Sequence, residues 1–250
     1  MATVLVTGAS GGFGYEFACQ LERQGYRLLL HGRDEVRLQL TLDALEKPEQ
    51  HRLILGELAA RKDVERLVEQ LEGEAELTGL VNNAGFGIWG GFRLCESVAQ
   101  LDVLRVDLVA PVALTHALLP VLSRNNGFVI NVSSLAGETP LPYMSTYAAA
   151  KAGLTYWSEA LRAEEQGRLR VVTLAPGPSP TNFRRVSGAP AGKGSLFSTP
   201  AEAVVAISLR MLERGGGYCV PGLRHRALWL LQKLVPRRFS VPVMARYLEK

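Results

Sequence analysis

Cysteine is scarce in this chain. Cys19, Cys95 and Cys219 are odd in number and far apart. That excludes a disulfide framework and any Cys-x-x-Cys motif, and it fits a reducing compartment, so the expected location is cytoplasmic. The four histidines, His31, His51, His116 and His225, share no metal-ligand spacing, and no metal is expected. No apolar run approaches the roughly 18 residues of a membrane span. Thr3-Val4-Leu5-Val6 already reads as a strand with no basic segment before it, so no signal peptide is expected. Positive charge is confined to one stretch. Residues 224–250 hold seven basic residues against Glu249, a net of +6, while the other 21 basic and 23 acidic residues give −2. The basic pI belongs to this tail, so no nucleic-acid partner is expected.

The chain has 250 residues, 47% of them hydrophobic, enough for one substantial core. Apolar runs at Val4–Val6, Arg27–Leu30, Leu53–Leu55, Leu80–Val81, Phe128–Val132, Arg170–Leu174 and Tyr218–Val220 alternate with helical patterns, notably 61–72, 97–123, 146–166 and 200–213. Such alternation predicts βαβ units: an α/β, doubly wound Rossmann fold with a seven-stranded, mostly parallel sheet covered on both faces. Residues 1–223 are expected to form the dinucleotide-binding domain, with 224–250 as a basic amphipathic extension. Thr199-Pro200-Ala201-Glu202 predicts a capping box. Residues 184–198, rich in Gly, Ser, Pro and Ala, read as a mobile surface loop.

Thr7-Gly8-Ala9-Ser10-Gly11-Gly12-Phe13-Gly14 follows the first strand and opens the first helix. Backbone N–H groups and the helix dipole there suit a phosphate, and the glycines permit close approach. At the end of the second strand, Gly32 takes the position where an acid would bind the ribose of NAD, with Arg33 beside it. This favours NADP(H). The alternative has Asp34 binding the ribose, which would admit NAD(H).

Tyr147 and Lys151 lie four residues apart, on one face of a predicted helix. A nearby ammonium favours phenolate and lowers a Tyr pKa, which makes the phenol a usable acid or base. The pair by itself is weak, because this spacing arises by chance in many helices and reads first as a solvated helix face.

Taken in order, these motifs resemble the short-chain dehydrogenase/reductase family, in its branch of about 250 residues. Thr7–Gly14 is similar to its TGxxxGxG turn and Asn82-Asn83-Ala84-Gly85 to its NNAG motif. Ser134 lies thirteen residues before Tyr147, as the family's catalytic Ser does. Tyr147-xxx-Lys151 resembles YxxxK, and Pro176-Gly177 followed by Thr181 resembles the PG motif with its nicotinamide-contacting Thr. The resemblance covers residues 3–222. It implies that Tyr147 exchanges a proton with the carbonyl or alcohol oxygen, and that Ser134 positions that oxygen. Lys151 would lower the Tyr pKa and hold the nicotinamide ribose. Asn83 would support the cofactor, with Gly85 leaving room for the adenosine ribose.

The chain departs from the family pattern in three places. Asp107 stands where many members have an Asn in a proton relay, and an ionised Asp would stabilise the Lys151 ammonium. Glu57-Leu58 replaces the usual Asp and apolar residue beside the adenine. Pro180 constrains Ser179 ahead of Thr181. The resemblance places Leu135, Leu141, Met144, Phe183 and the 184–198 loop near a substrate, favouring a hydrophobic ketone, aldehyde or acyl carbonyl; several could equally be core residues. Arg184, Arg185 and Lys193 could meet an anionic carrier or simply be solvated. It also implies a homodimer or homotetramer built on 97–123 and 146–166. In the extension, Leu228, Leu231, Leu234 and Val235 can form a helix stripe near Trp229, with Pro236 stopping it. That helix would lie on an anionic membrane surface, or pack on a partner subunit or the substrate cleft. Two other functions remain open. A non-catalytic nucleotide sensor on the same fold is opposed by the intact Ser134, Tyr147 and Lys151. A sugar-nucleotide epimerase or dehydratase is opposed by chain length and glycine spacing.

Overall fold

The computed structural model describes residues 1–190 and 198–249. Seven parallel strands form one sheet in the order β3-β2-β1-β4-β5-β6-β7. They are β1 (Thr3–Thr7), β2 (Arg27–Gly32), β3 (Arg52–Leu55), β4 (Leu77–Asn82), β5 (Phe128–Val132), β6 (Arg170–Leu174) and β7 (Gly217–Cys219). The sheet is thus wholly parallel rather than mostly so. Strand order reverses at β1, which pairs with both β2 and β4; in open α/β sheets ligands bind at such a switch point, beyond the carboxyl ends of the strands.

Side chains alternate between two cores, as period two requires. Val4, Val6, Leu28, Leu30 and Ile130 face α1 (Phe13–Arg23) and α8 (Ala201–Glu213). Leu5, Leu29, Leu80, Val129 and Val171 face α3 (Arg61–Leu71), α5 (Ala110–Arg124) and α6 (Ser145–Glu164). The remaining helices are α2 (Glu35–Asp43), α4 (Ser97–Leu104), α7 (Phe183–Ser187), α9 (Leu223–Leu234) and α10 (Arg237–Leu248).

Three local expectations need correction. The predicted 97–123 helix is interrupted by a π-type turn at Arg105–Val109, which carries Asp107. With that turn, Ser97–Arg124 is long and apolar enough to cross a membrane by length and composition. Its interspersed charges hid this in the sequence, and in the fold it lies against the sheet as a core helix. The capping box at Thr199 does not form. Pro200 is the N-cap of α8, and the Thr199 hydroxyl lies 3.3 Å from His225 Nδ1 instead.

A polar ladder sets the height of α6. Asn82 Nδ2 donates to Asn131 Oδ1 at 2.8 Å, and Asn131 Nδ2 donates to Ser158 Oγ at 2.9 Å. The Ser158 and Thr173 hydroxyls are 2.7 Å apart. These side chains are buried, so each bond satisfies a group that would otherwise be costly to desolvate.

Candidate active site

The turn after β1 is built by conformational necessity. Gly8 and Gly12 have φ of +63° and +57°, a region that favours glycine. A Cβ on Gly14 would lie 2.1 Å from the Gly8 carbonyl oxygen, so α1 can approach the turn only without a side chain there. Phe13 opens α1, whose N-cap Gly12 supplies no side-chain cap. Asn83 ties the turn to β4: its Nδ2 donates to the Thr7 and Gly8 carbonyls at 2.9 and 3.0 Å. Ala84 closes the other side, with its Cα only 2.8 Å from where a Gly8 Cβ would stand. Uncapped N–H groups beside a glycine cradle fit a dinucleotide phosphate.

The residues beyond β2 separate the two cofactor readings. Asp34 Oδ1 accepts from the Arg37 backbone N–H at 3.0 Å, capping α2, so its carboxylate is engaged at the helix end. Arg33 reaches Glu57, with Nη1 to Oε2 3.1 Å. Leu58 is buried in the second core. Sequence reasoning missed Arg37. Its guanidinium donates to the Ser10 carbonyl at 3.1 Å and borders a cavity of about 260 Å³ lined also by Gly11, Thr41 and Asn182. Its position three residues after the cap Asp34, on the helix turn facing the glycine loop, was the available signal.

The catalytic candidates converge beyond β4 and β5. Ser134 caps a short 3₁₀ turn, accepting from the Ala136 N–H at 3.1 Å, and its hydroxyl is near enough to Tyr147 to act on the phenol pKa. Tyr147 and Lys151 rise from the first turns of α6. Lys151 is buried; its Nζ donates to the Val132 carbonyl at 2.8 Å and lies 2.9 Å from Asp107 Oδ1. Asp107 Oδ2 accepts from the Phe86 N–H at 3.0 Å. Complete burial raises the Asp107 carboxyl above its ordinary range, while the Lys151 ammonium and the Phe86 N–H oppose the rise. Gly85, expected to leave room for the adenosine ribose, also lies against the ion pair. A Cβ there would fall 2.6 Å from Asp107 Oδ1 and 3.1 Å from Lys151 Nζ, so this glycine makes room for the ion pair.

The pair changes the expected electrostatics of Tyr147. The phenol pKa is pushed up rather than down, by burial first and by the Asp107 charge second, with the Ser134 hydroxyl acting against both. Lys151 Nζ is 5.8 Å from the ring centre, and its charge is opposed at close range by Asp107.

The loop after β6 closes the groove. The Pro176 carbonyl accepts from Leu135 N–H at 3.0 Å, and the Thr181 side chain stands 3.4 Å from where a Gly12 Cβ would be. A Gly177 side chain would collide with the His225 ring. Leu141, Met144 and Phe183 gather at Tyr147, and the Phe183 ring lies 5.1 Å from the Tyr147 ring. Leu135 does not join them; it packs behind the loop with Ala175, Val220 and Trp229. Ile88 and Trp89 also line this cluster, and Trp89 stacks on Tyr143 at 6.1 Å. They were not anticipated, because a loop after the Asn-Asn-Ala-Gly motif has no periodicity to read. Arg184 and Arg185 are exposed on α7, and Lys193 lies outside the described residues. Among the described residues, no group of three His, Cys, Asp or Glu side chains could hold a metal.

A glycine-turn dinucleotide cradle with Ser, Tyr and Lys at the strand ends defines a class of α/β oxidoreductases. Residues 2–190 match the short chain dehydrogenase family profile. The chain is 30% identical over 265 residues to dehydrogenase/reductase SDR family member 7B of Xenopus laevis, covering 98% of this chain and 81% of that protein. It is 33% identical over 178 residues to 11-beta-hydroxysteroid dehydrogenase-like 4A of Arabidopsis thaliana, covering 70% of this chain and 60% of that one. A short-chain dehydrogenase from Sphingobium yanoikuyae, solved with NADPH, superposes with a TM-score of 0.84 at 26% identity, over 93% and 92% of the two chains. Solved chains of the same fold at lower identity carry NADP or NAD. The protein belongs to the short-chain dehydrogenase/reductase family and is an oxidoreductase of that family.

Proposed function

We propose that this protein is an NADP(H)-dependent carbonyl reductase acting on a hydrophobic ketone, aldehyde or acyl carbonyl, or on the corresponding alcohol in reverse. The carrying observation is the Ser134, Tyr147 and Lys151 cluster facing an apolar wall of Leu141, Met144 and Phe183. Ser134 hydrogen-bonds the substrate oxygen, and Tyr147 donates a proton to it. Lys151, fixed by Val132 and Asp107, would hold the nicotinamide ribose. When bound, the dinucleotide supplies the hydride. Arg33 and Arg37 are the residues that would hold a 2′-phosphate. The engagement of Asp34 as a helix cap supports this over NAD(H). Exposed Val98, Leu101 and Val109 on the interrupted helix, and Tyr156 on α6, support a homodimer or homotetramer through those helices.

NADPH and NADH consumption over a panel of ketones and aldehydes tests the reading. Tyr147→Phe is expected to lower kcat by about 10²- to 10⁴-fold while NADPH still binds. Arg33→Ala with Arg37→Ala should raise KM for NADPH and leave that for NADH little changed. Turnover that survives Tyr147→Phe, or a wild-type preference for NADH, would overturn the corresponding half.

A further inference from the structure

The C-terminal helices leave much of their apolar surface bare. Helix α9 is fastened through His225 and Trp229. The Trp229 indole N–H donates to Glu138 Oε2 at 3.1 Å, beside the Tyr218 hydroxyl on Oε1 at 2.7 Å, and the two rings stack. The opposite face exposes Leu223, Ala227, Leu230, Leu231 and Leu234, in the four-three-four rhythm of one stripe. Leu231 and Leu234 belong to the anticipated stripe and Leu228, also exposed, flanks it, while Val235 lies in the bend before α10. Helix α10 has a shielded and a bare side too, though none of its residues is fully buried. Val241, Met244, Ala245 and Leu248 are half-buried, while Phe239, Val243 and Tyr247 project outward at intervals of four.

Cations border both stripes. Lys233 covers the Trp229 ring at 3.9 Å, Arg238 lies against Phe239 at 4.7 Å, and Arg237 and Arg246 are exposed on α10. The only acid in residues 224–250 is Glu249, which sits beside the Tyr143 hydroxyl. Leucine and aromatic stripes edged by Lys and Arg are the pattern of helices that lie in a bilayer interface. A second copy is a poorer occupant, because a two-fold contact would set one strongly basic face against its equal.

We propose that α9 and α10 form a monotopic docking face for an anionic lipid bilayer. The leucine stripe and Phe239, Val243 and Tyr247 enter the acyl boundary, and the basic rim meets the headgroups. The inference rests on exposure and charge alone, independently of the reaction assigned above. It would set the mouth beside Tyr143 and Trp89 close to the bilayer, where a hydrophobic carbonyl compound concentrates.

The test is co-sedimentation of the full chain with phosphatidylcholine vesicles, with and without phosphatidylglycerol. Binding is expected only with the anionic lipid, falling as salt is raised. Leu230→Glu with Leu231→Glu should lower partitioning on the order of a hundredfold, about tenfold for each lost side chain. Arg237→Gln, Arg238→Gln and Arg246→Gln should each lower it about fivefold. All five positions are exposed, so thermal unfolding should match wild type. A Phe239→Trp reporter should shift blue on binding and be quenched by brominated acyl chains. Failure to pellet, pelleting indifferent to the double Glu variant, or a particle mass that halves in that variant without lipid would each overturn the proposal.

Discussion

Replacing Asp107 by Asn removes one charge from the catalytic cluster while keeping its shape. Lys151 Nζ is 2.9 Å from Asp107 Oδ1 and 5.8 Å from the Tyr147 ring centre, so carboxylate and ring are within about 9 Å of each other. At an effective dielectric of about 20, two charges at that distance interact by about 1.8 kcal/mol, a little more than one pKa unit. The Asp107 charge raises the Tyr147 pKa, so its loss lowers it. The unmasked Lys151 charge pulls the same way. In alcohol oxidation the phenolate is the base, and activity rises as pH passes its pKa. In Asp107→Asn, the rising limb of kcat/KM should therefore move at least about one unit toward acid. In ketone reduction, where the phenol is the acid, the falling limb should move the same way. The assay is kcat/KM against pH in both directions, with circular dichroism to verify the fold. Limbs that stay in place or move toward alkali, in a folded variant, would refute the reasoning.

Two further predictions concern the scaffold. Gly14→Ala puts a methyl 2.1 Å from the Gly8 carbonyl, a backbone collision that no rotamer relieves, so the variant should accumulate poorly and lose NADPH binding in a fluorescence titration. His31 is buried with a pKa lowered to about 4, chiefly by desolvation, against 6.5 in the unfolded chain. The unfolded state takes up its proton first, so the neutral folded form loses stability as pH falls from 6.5 toward 4, by about 3 kcal/mol. Urea unfolding at pH 7 and 4.5 should show that loss, and His31→Leu should reduce it.

The legible part of this molecule was carried by local periodicity and ordered motifs. Every one of the seven apolar runs became a strand, and Ser134, Tyr147 and Lys151 meet where their spacing implied. What escaped reading depends on neighbours distant in sequence. Asp107 and Lys151 are 44 positions apart, and Asp107 meets Lys151 from within the π-type turn. The closeness of Gly85 to that pair could not be read from sequence either. Thr199 had the local pattern of a cap, yet His225 draws its hydroxyl away. The resemblance placed Leu135 beside the substrate, but Leu135 packs with Ala175 and Val220 instead. In the tail, apolar spacing announced a helix; which stripe stays bare was decided by where Glu138 fastens Trp229.

The ladder from Asn82 through Asn131 and Ser158 to Thr173 bears on how alike the individual molecules are. A helix seated only by apolar side chains has several packings of similar energy, displaced by fractions of a turn. Directional bonds at fixed sheet positions admit one of them. Such bonds narrow the spread of Tyr147 positions across a population. Weakening a rung would broaden that distribution before it lowered the melting temperature, leaving an ensemble that is folded but unequal.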